Sequence, residues 1–246
     1  LEMVPMMLVF SLPFLCEDRT QAERLVNSEF AREISMDSLK SGATILGIGD
    51  AGGFRQFSNS VRMIRRPEDL RGLKMRSNGM DTINKTLEAL GAEVMTVPYN
   101  DLYMALKAGT IDGQENPWVN SSGMRFYEVQ KYFTEVNYQF HPEPFYVNTR
   151  WYESLPREYQ EILEECTQEM MKENNRLIDE NEVQAMENIR ANAEIYTLSS
   201  EERQAFVEAT QVVYEEYMEN GLLTRDELAR MKRIIRGEEE QDYPYR

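Results

Sequence analysis

The chain has 246 residues, and its 27 basic and 43 acidic side chains give a formal net charge of −16 at pH 7. Because so acidic a protein offers no basic face to phosphates, we expect no nucleic-acid partner. One histidine, His141, and two cysteines argue against a Ser-His-Asp triad, a Cys-His dyad or a zinc site. No stretch reaches the ~18 apolar residues of a transmembrane helix.

The first fifty residues predict a buried segment, a helix and a short strand. Residues 3–16 are apolar and contain two prolines, which indicates a buried strand and loop rather than a signal peptide. Thr20 and Glu23 form a capping box, and apolar residues then recur at helical spacing, so we predict a helix over 21–35. Residues 43–48 are predicted to form a short apolar strand.

Residues 47–52 match the GxGxxG pattern of dinucleotide-binding folds. That pattern holds a pyrophosphate only when a helix begins directly after it. A polar, extended segment follows here instead. We therefore interpret these glycines as a flexible crossing between two lobes rather than as a nucleotide site.

The central part of the chain alternates between short strands and helices. We predict strands over 73–76, 93–97 and 110–112, and helices over 80–90 and 101–108. Such alternation is typical of parallel strands joined by right-handed crossovers.

The second half of the chain is predicted to be mainly helical. A helix over 125–133 and two strands, 134–139 and 144–149, precede a long helix from 156 to about 193, which spans roughly 50 Å at 1.5 Å per residue. Further helices open at Ser199 and Thr224, and the charged tail 238–246 is expected to be loose.

Arg76 is the strongest candidate for a binding residue, because it lies at the end of a predicted strand just before a helix. A guanidinium in that position can bind a carboxylate through two parallel hydrogen bonds, although a surface or ion-paired arginine would give the same pattern. Arg55, in the glycine-rich crossing, is open to the same two interpretations. Asn116 could contact a ligand or cap its loop, and core packing is the default for Tyr99 and Trp118.

Several segments together resemble the solute-binding subunit of TRAP (tripartite ATP-independent periplasmic) transporters, of the DctP type. The most specific are IDGQENP at 111–117 and FYEVQKY at 126–132. The others are PEDLRGLKMR at 67–76, LGA at 90–92, VPY at 97–99, DLYMAL at 101–106, SLPFL at 11–15 and WYESLP at 151–156.

The resemblance implies an α/β fold like that of periplasmic binding proteins, with two lobes, a ligand cleft and a long bracing helix. It places lobe one at residues 1–52 and 142–182, and lobe two at 53–141 and 183–246 with the C-terminal helices. The first strands and helix of the family's first lobe, and its export signal, are absent from this sequence. Lobe one is therefore expected to be incomplete.

The resemblance also assigns roles to individual residues. It implies that Arg76 pairs with the ligand carboxylate, that Asn116 lies beside it and that Tyr99 lines the pocket. Arg55 corresponds to a second arginine of the cleft. Trp118 and Phe145 are weaker candidates for pocket walls.

The function implied is capture of a small organic acid in the periplasm and its delivery to membrane permease subunits. The protein is expected to act as a monomer, without enzymatic activity, cofactor or metal. Two alternatives stay open, a sensory ligand-binding domain and an enzyme on the same scaffold. The sequence presents no nucleophile and base at a spacing that would favour the enzyme.

Overall fold

The computed structural model describes residues 5–238 and contains a six-stranded mixed sheet. Its strands, in chain order, are β1 (Ala43–Asn59), β2 (Lys74–Ser77), β3 (Glu93–Thr96), β4 (Gly113–Pro117), β5 (Tyr132–Asn148) and β6 (Glu194–Thr197). They lie in the order β3-β2-β4-β1-β5-β6. Strand β2 pairs in parallel with β3 and β4, as the alternation predicts, whereas β1 pairs antiparallel with β4 and β5.

Ten α-helices surround the sheet in the part of the chain that the structure describes. They are α1 (Arg19–Val26), α2 (Glu29–Met36), α3 (Asp81–Ala89), α4 (Tyr99–Ala108), α5 (Trp118–Gly123), α6 (Thr149–Ser154), α7 (Arg157–Arg190), α8 (Ser200–Ala209), α9 (Gln211–Glu219) and α10 (Arg225–Arg236). None of these described helices is long and apolar enough to cross a membrane.

The predicted long helix is confirmed as α7, which has 34 residues. It packs against β1 through buried side chains that include Met171 and Ile178. The contact is close at Gly47, where a Cβ atom would lie 2.9 Å from the terminal methyl of Met171. The absence of a side chain at Gly47 therefore leaves room for the end of the Met171 side chain.

The glycine-rich crossing lies within β1, and the strand rather than a helix continues after it, as predicted. Pairing with β5 is irregular between Asp50 and Phe54. Gly52 and Gly53 lie in this interval with φ values of 130° and 94°, a backbone conformation that L-residues with side chains rarely adopt. The irregularity divides β1 into two paired halves.

Several predicted boundaries were wrong, beginning at the N-terminus. The opening segment is buried but forms a 3₁₀ helix, Pro5–Ser11, rather than a strand. The helix over 21–35 is two helices, because Ser28 caps a new one by accepting a hydrogen bond from the Ala31 amide. The first of them begins earlier, at Arg19, and is capped by Asp18.

Residues 125–133 were also assigned wrongly, since only Phe126–Glu128 form a 3₁₀ turn there. Strand β5 begins at Tyr132, in register with Asn59 and Glu194, so pairing on both sides overrides the weak helical pattern. The two strands predicted after it are one irregular strand, and the strand predicted at 110–112 begins at Gly113. The tail after Glu238 lies outside the described residues.

The predicted lobe boundaries stay a prediction, but the packing of the helix ends bears on them. One hydrophobic core joins α1 and α2 to α9 and α10, through residues such as Phe30, Tyr217 and Met231. A second core, with Phe57 and Tyr138, lies beneath the sheet near β2 and α3. The C-terminal helices thus share a core with residues that the prediction placed in lobe one.

Gly113 lies where β2, β4 and β1 meet, and we predict that it cannot be replaced by alanine without loss of stability. A Cβ atom there would lie 2.6 Å from Met75 Sδ, 2.8 Å from Asn59 Cβ, and closer still to the carbonyl oxygen of Ser58. Overpacking of this kind lowers the free energy of unfolding by about 1–3 kcal/mol. Urea denaturation of Gly113→Ala measures it.

Gly123→Ala is the matched control, because no atom lies within 4 Å of the added Cβ. Alanine also favours helix over glycine, so this variant should be as stable as the parent or slightly more so. Equal stability of the two variants would contradict the predicted crowding at Gly113.

Candidate functional site

Arg76 lies in β2, one residue before the strand ends, and is almost fully enclosed at 2% exposure. Its Nε donates a hydrogen bond to the Val97 carbonyl oxygen at 2.9 Å, and its guanidinium carbon lies 5.9 Å from the centre of the Tyr99 ring. Among the described residues, no hydrogen-bond or ion-pair partner occupies the two terminal Nη atoms. These two Nη atoms form a free edge of the guanidinium, which can therefore donate two parallel hydrogen bonds to a planar anion.

Arg55 forms a buried ion pair with Glu115, and both side chains are about 1% exposed or less. Arg55 Nη2 donates to Glu115 Oε1 and to the Glu115 carbonyl oxygen, each at 2.9 Å, while Nε donates to Oε2. The Tyr138 hydroxyl donates to the same carboxylate. Because Glu115 opposes Phe57, two residues along β1 from Arg55, the two charged residues are diagonal neighbours across the strands.

The charges of Arg55, Arg76 and Glu115 do not balance. Arg55 and Arg76 supply two positive charges, and Glu115 supplies one negative charge. Burial is the main cause that lowers the pKa of Arg76, Arg55 lowers it further, and Glu115 opposes both effects. The arrangement therefore favours an additional anion beside Arg76, where its charge would be compensated.

Asn116 follows Glu115 on β4 and is 3% exposed. Its Oδ1 accepts a hydrogen bond from Arg55 Nη2 at 3.3 Å, and its Nδ2 donates to Gln114 Oε1. The structure therefore brings together Asn116 and Arg55, two of the predicted site residues. An amide held in this way retains one N–H donor for a ligand.

Tyr99 is the first residue of α4 and is half-buried. Its ring contacts Phe126 edge-on, with ring centres 6.3 Å apart, which fixes its position beside Arg76. Burial raises the pKa of its hydroxyl, and the nearby amide of Asn120 partly opposes that rise. Tyr99 therefore presents a neutral, polar aromatic surface next to the arginine.

A cavity of about 460 Å³ lies next to Tyr99. Its lining comes from the glycine-rich interval, α4, α5 and α7, and includes Gly52, Tyr99, Asn120, Met124, Asn174 and Ile178. This volume is within the range of about 300–1,000 Å³ that small-molecule sites occupy. A second cavity, of about 250 Å³, lies between α2, β1 and α6 and contains none of the predicted site residues.

Trp118 lies in a separate hydrophobic core, and Phe145 lies further along β5. Trp118 is 1% exposed and stacks on Phe133 in a core that also contains Ile189 of α7, which is the packing role expected by default. Phe145 is 40% exposed. It lies six residues beyond Gln139, the residue of β5 that is paired with Arg55, which is roughly 20 Å along the strand. Their assignment to the pocket stays a prediction without support from these positions.

The sequence reasoning missed Glu115, Tyr138 and His141, which hold Arg55 in place. One sequence signal could have indicated that Glu115 has a buried partner, because it is the only acidic residue in the strand Gly113–Pro117. Tyr138 and His141 lie on β5, and only its register with β1 reveals their proximity to Arg55. His141 Nδ1 lies 3.0 Å from Arg55 Nη1 and can accept a hydrogen bond from it.

Comparison with known proteins places the chain among solute-binding proteins. The family described as bacterial extracellular solute-binding protein, family 7, matches residues 1–220. The C4-dicarboxylate-binding periplasmic protein DctP of Vibrio cholerae is 30% identical over 213 residues, 85% of this chain and 63% of that protein. The chain spans 50–63% of the length of the first three curated relatives.

Two solved structures share the fold closely. A TRAP periplasmic solute-binding protein of Ralstonia eutropha H16 with bound (S)-2-acetolactate has a TM-score of 0.88 and 31% identity, over 95% of this chain and 76% of that one. Another, from Sulfitobacter sp. NAS-14.1 with bound β-D-galacturonate, has a TM-score of 0.86 and 27% identity, over 96% and 77%. The predicted α/β fold of solute-binding proteins is thereby confirmed.

We predict that His141 stays neutral across the physiological pH range. Burial, together with the positive charge of Arg55, lowers its pKa from 6.5 to about 3. The unfolded chain keeps the ordinary pKa of about 6.5, so it binds the proton first as the pH falls. Stability from this group is complete above pH ~6.5 and is lost as the pH falls towards 3.

NMR of the imidazole ring tests this directly, because a single histidine gives a single titration curve. The ring signals should not move between pH 7.5 and 5. His141→Gln should reduce the loss of stability on acidification over that interval. A titration midpoint near 6.5 would contradict the contact with Arg55.

Proposed function

The chain belongs to family 7 of the bacterial extracellular solute-binding proteins, and from this premise we propose that it captures a small organic acid for a TRAP transporter. The observation that carries the proposal is the free edge of the buried Arg76 guanidinium in a group with surplus positive charge. A carboxylate would form two parallel hydrogen bonds with that edge and balance the charge. Asn116 and Tyr99 would flank it.

The relatives support the class of ligand. The Vibrio cholerae relative is named for binding C4-dicarboxylates, and the two similar structures hold acetolactate and galacturonate. These ligands differ in size and in their hydroxyl groups, but each carries a carboxylate. The carboxylate is therefore the group that we assign to Arg76.

The enclosure of Arg76 constrains how the ligand enters. Because the side chain is 2% exposed, a ligand reaches it only if the surrounding elements open and close again. Closure would move the ion pair out of water, where the attraction between its charges is stronger. We propose that the two predicted lobes make this movement about the irregular interval of β1.

In this account no bond is made or broken. The protein would act in the periplasm as a monomer, bind its ligand reversibly and pass it to the permease subunits of the transporter. His141 is neutral and engaged by Arg55, which leaves it poorly suited to act as a general base.

We predict that Arg76→Ala abolishes most of the binding of a carboxylate ligand and that Arg76→Lys weakens it strongly. Removing one partner of a buried charge pair costs about 2 kcal/mol or more, which corresponds to at least a roughly 30-fold rise in Kd. Lysine keeps the charge but lacks the two parallel donors. Isothermal titration calorimetry with galacturonate and succinate measures both effects.

Arg150→Ala is a matched control, since Arg150 is an exposed arginine on α6 and its loss should leave Kd unchanged. Circular dichroism should show that all three variants are folded. Undiminished affinity in folded Arg76→Ala would contradict the proposed role of this residue.

A further inference from the structure

The cavity next to Tyr99 contains hydrogen-bonding groups without a free positive charge. Its polar side chains include the Tyr99 hydroxyl, the Asn120 amide on α5 and the Asn174 amide on α7. Met124 and Ile178 supply apolar surface between them. Neutral donors and acceptors on an apolar wall are suited to hydroxyl groups attached to a carbon skeleton.

Asp50 is the one charged residue among those that line the cavity, and its carboxylate is already occupied. Its Oδ1 accepts hydrogen bonds from the amides of Gly52 and Gly53 at 2.9 and 2.6 Å, and its Oδ2 pairs with Arg19. The carboxylate is 1% exposed. A second carboxylate of a ligand placed here would find no compensating positive charge among the described lining residues.

Tyr99 connects this cavity to Arg76. The ring lies 5.9 Å from the Arg76 guanidinium carbon and is also part of the cavity wall. A ligand whose carboxylate meets Arg76 could therefore extend past this ring towards Asn120 and Asn174, which line the same cavity. Asn120 lies directly against Gly52, where an added Cβ atom would collide with its Oδ1.

We propose that this cavity is the subsite for the hydroxylated part of the ligand and that the protein selects acids with one carboxylate and several hydroxyl groups over dicarboxylates. The inference rests on the capture of a carboxylate by Arg76 proposed above. Asn120 and Asn174 would be the specificity-determining residues. Asn174 Nδ2 already donates to the Asp50 carbonyl oxygen and Asn120 already bonds to Tyr99, so a ligand hydroxyl would use the remaining donors and acceptors of the two amides, which a ligand without hydroxyls would leave unused.

The direct test changes the ligand and leaves the protein intact. Calorimetry on the purified chain compares galacturonate with tetrahydropyran-2-carboxylate, which keeps the ring and the carboxylate but has no hydroxyl groups, and with succinate. Galacturonate should bind at least roughly tenfold more tightly than either, since each neutral hydrogen bond contributes about 0.5–1.5 kcal/mol. Equal or tighter binding of succinate would overturn the inference.

Variants then locate the selectivity. Asn120→Ala and Asn174→Ala should each lower the ratio of galacturonate to succinate affinity several-fold, whereas Arg76→Ala should weaken both ligands. Asn181→Ala is the control, because Asn181 lies on the same long helix, is exposed and bonds only to the Leu177 carbonyl among the described residues. It should leave the ratio unchanged.

The outcomes separate this inference from the function on which it rests. If Arg76→Ala weakens binding but neither asparagine variant changes the ratio, the subsite is wrong and carboxylate capture stands. If no acid of the panel binds, or if Arg76→Ala leaves the Kd of every acid unchanged, both carboxylate capture and the subsite are wrong.

Discussion

The site depends on the buried ion pair between Arg55 and Glu115. Burying two charges is costly unless their remaining donors and acceptors are satisfied, and here Tyr138, His141 and the Glu115 backbone carbonyl supply the partners. Because Glu115 is bonded to Arg55, its single negative charge offsets the charge of Arg76 only in part. The unbalanced charge on Arg76 then makes the site receptive to an anion in a strongly acidic protein.

The irregular interval of β1 positions the rest of the site. Asp50 accepts hydrogen bonds from the amides of the two glycines that follow, and its carbonyl oxygen accepts one from Asn174 of the long helix at 2.8 Å. The turn thus fixes both the backbone near Arg55 and one wall of the cavity. The glycines that match a nucleotide-binding pattern instead leave room beside the strand for side chains of α5 and α7.

Local patterns predicted the parts of this protein whose structure is set locally. The long helix, the capping boxes at Ser199 and Thr224, and the alternation around Arg76 are all present. Predictions were wrong where pairing between distant segments decides the structure. At Tyr132, for example, pairing with β1 and β6 makes a strand of residues whose local pattern is helical. The partners of Arg55 were missed for the same reason, since they come from β4 and β5 and become its neighbours only through the register of the sheet.

A crystal structure of the chain with bound galacturonate would test the central claim most directly. We predict that both carboxylate oxygens lie within about 2.7–2.9 Å of the Arg76 Nη atoms, with the Arg55–Glu115 pair intact. A carboxylate bound elsewhere, or one bound to Arg55 after displacement of Glu115, would contradict it.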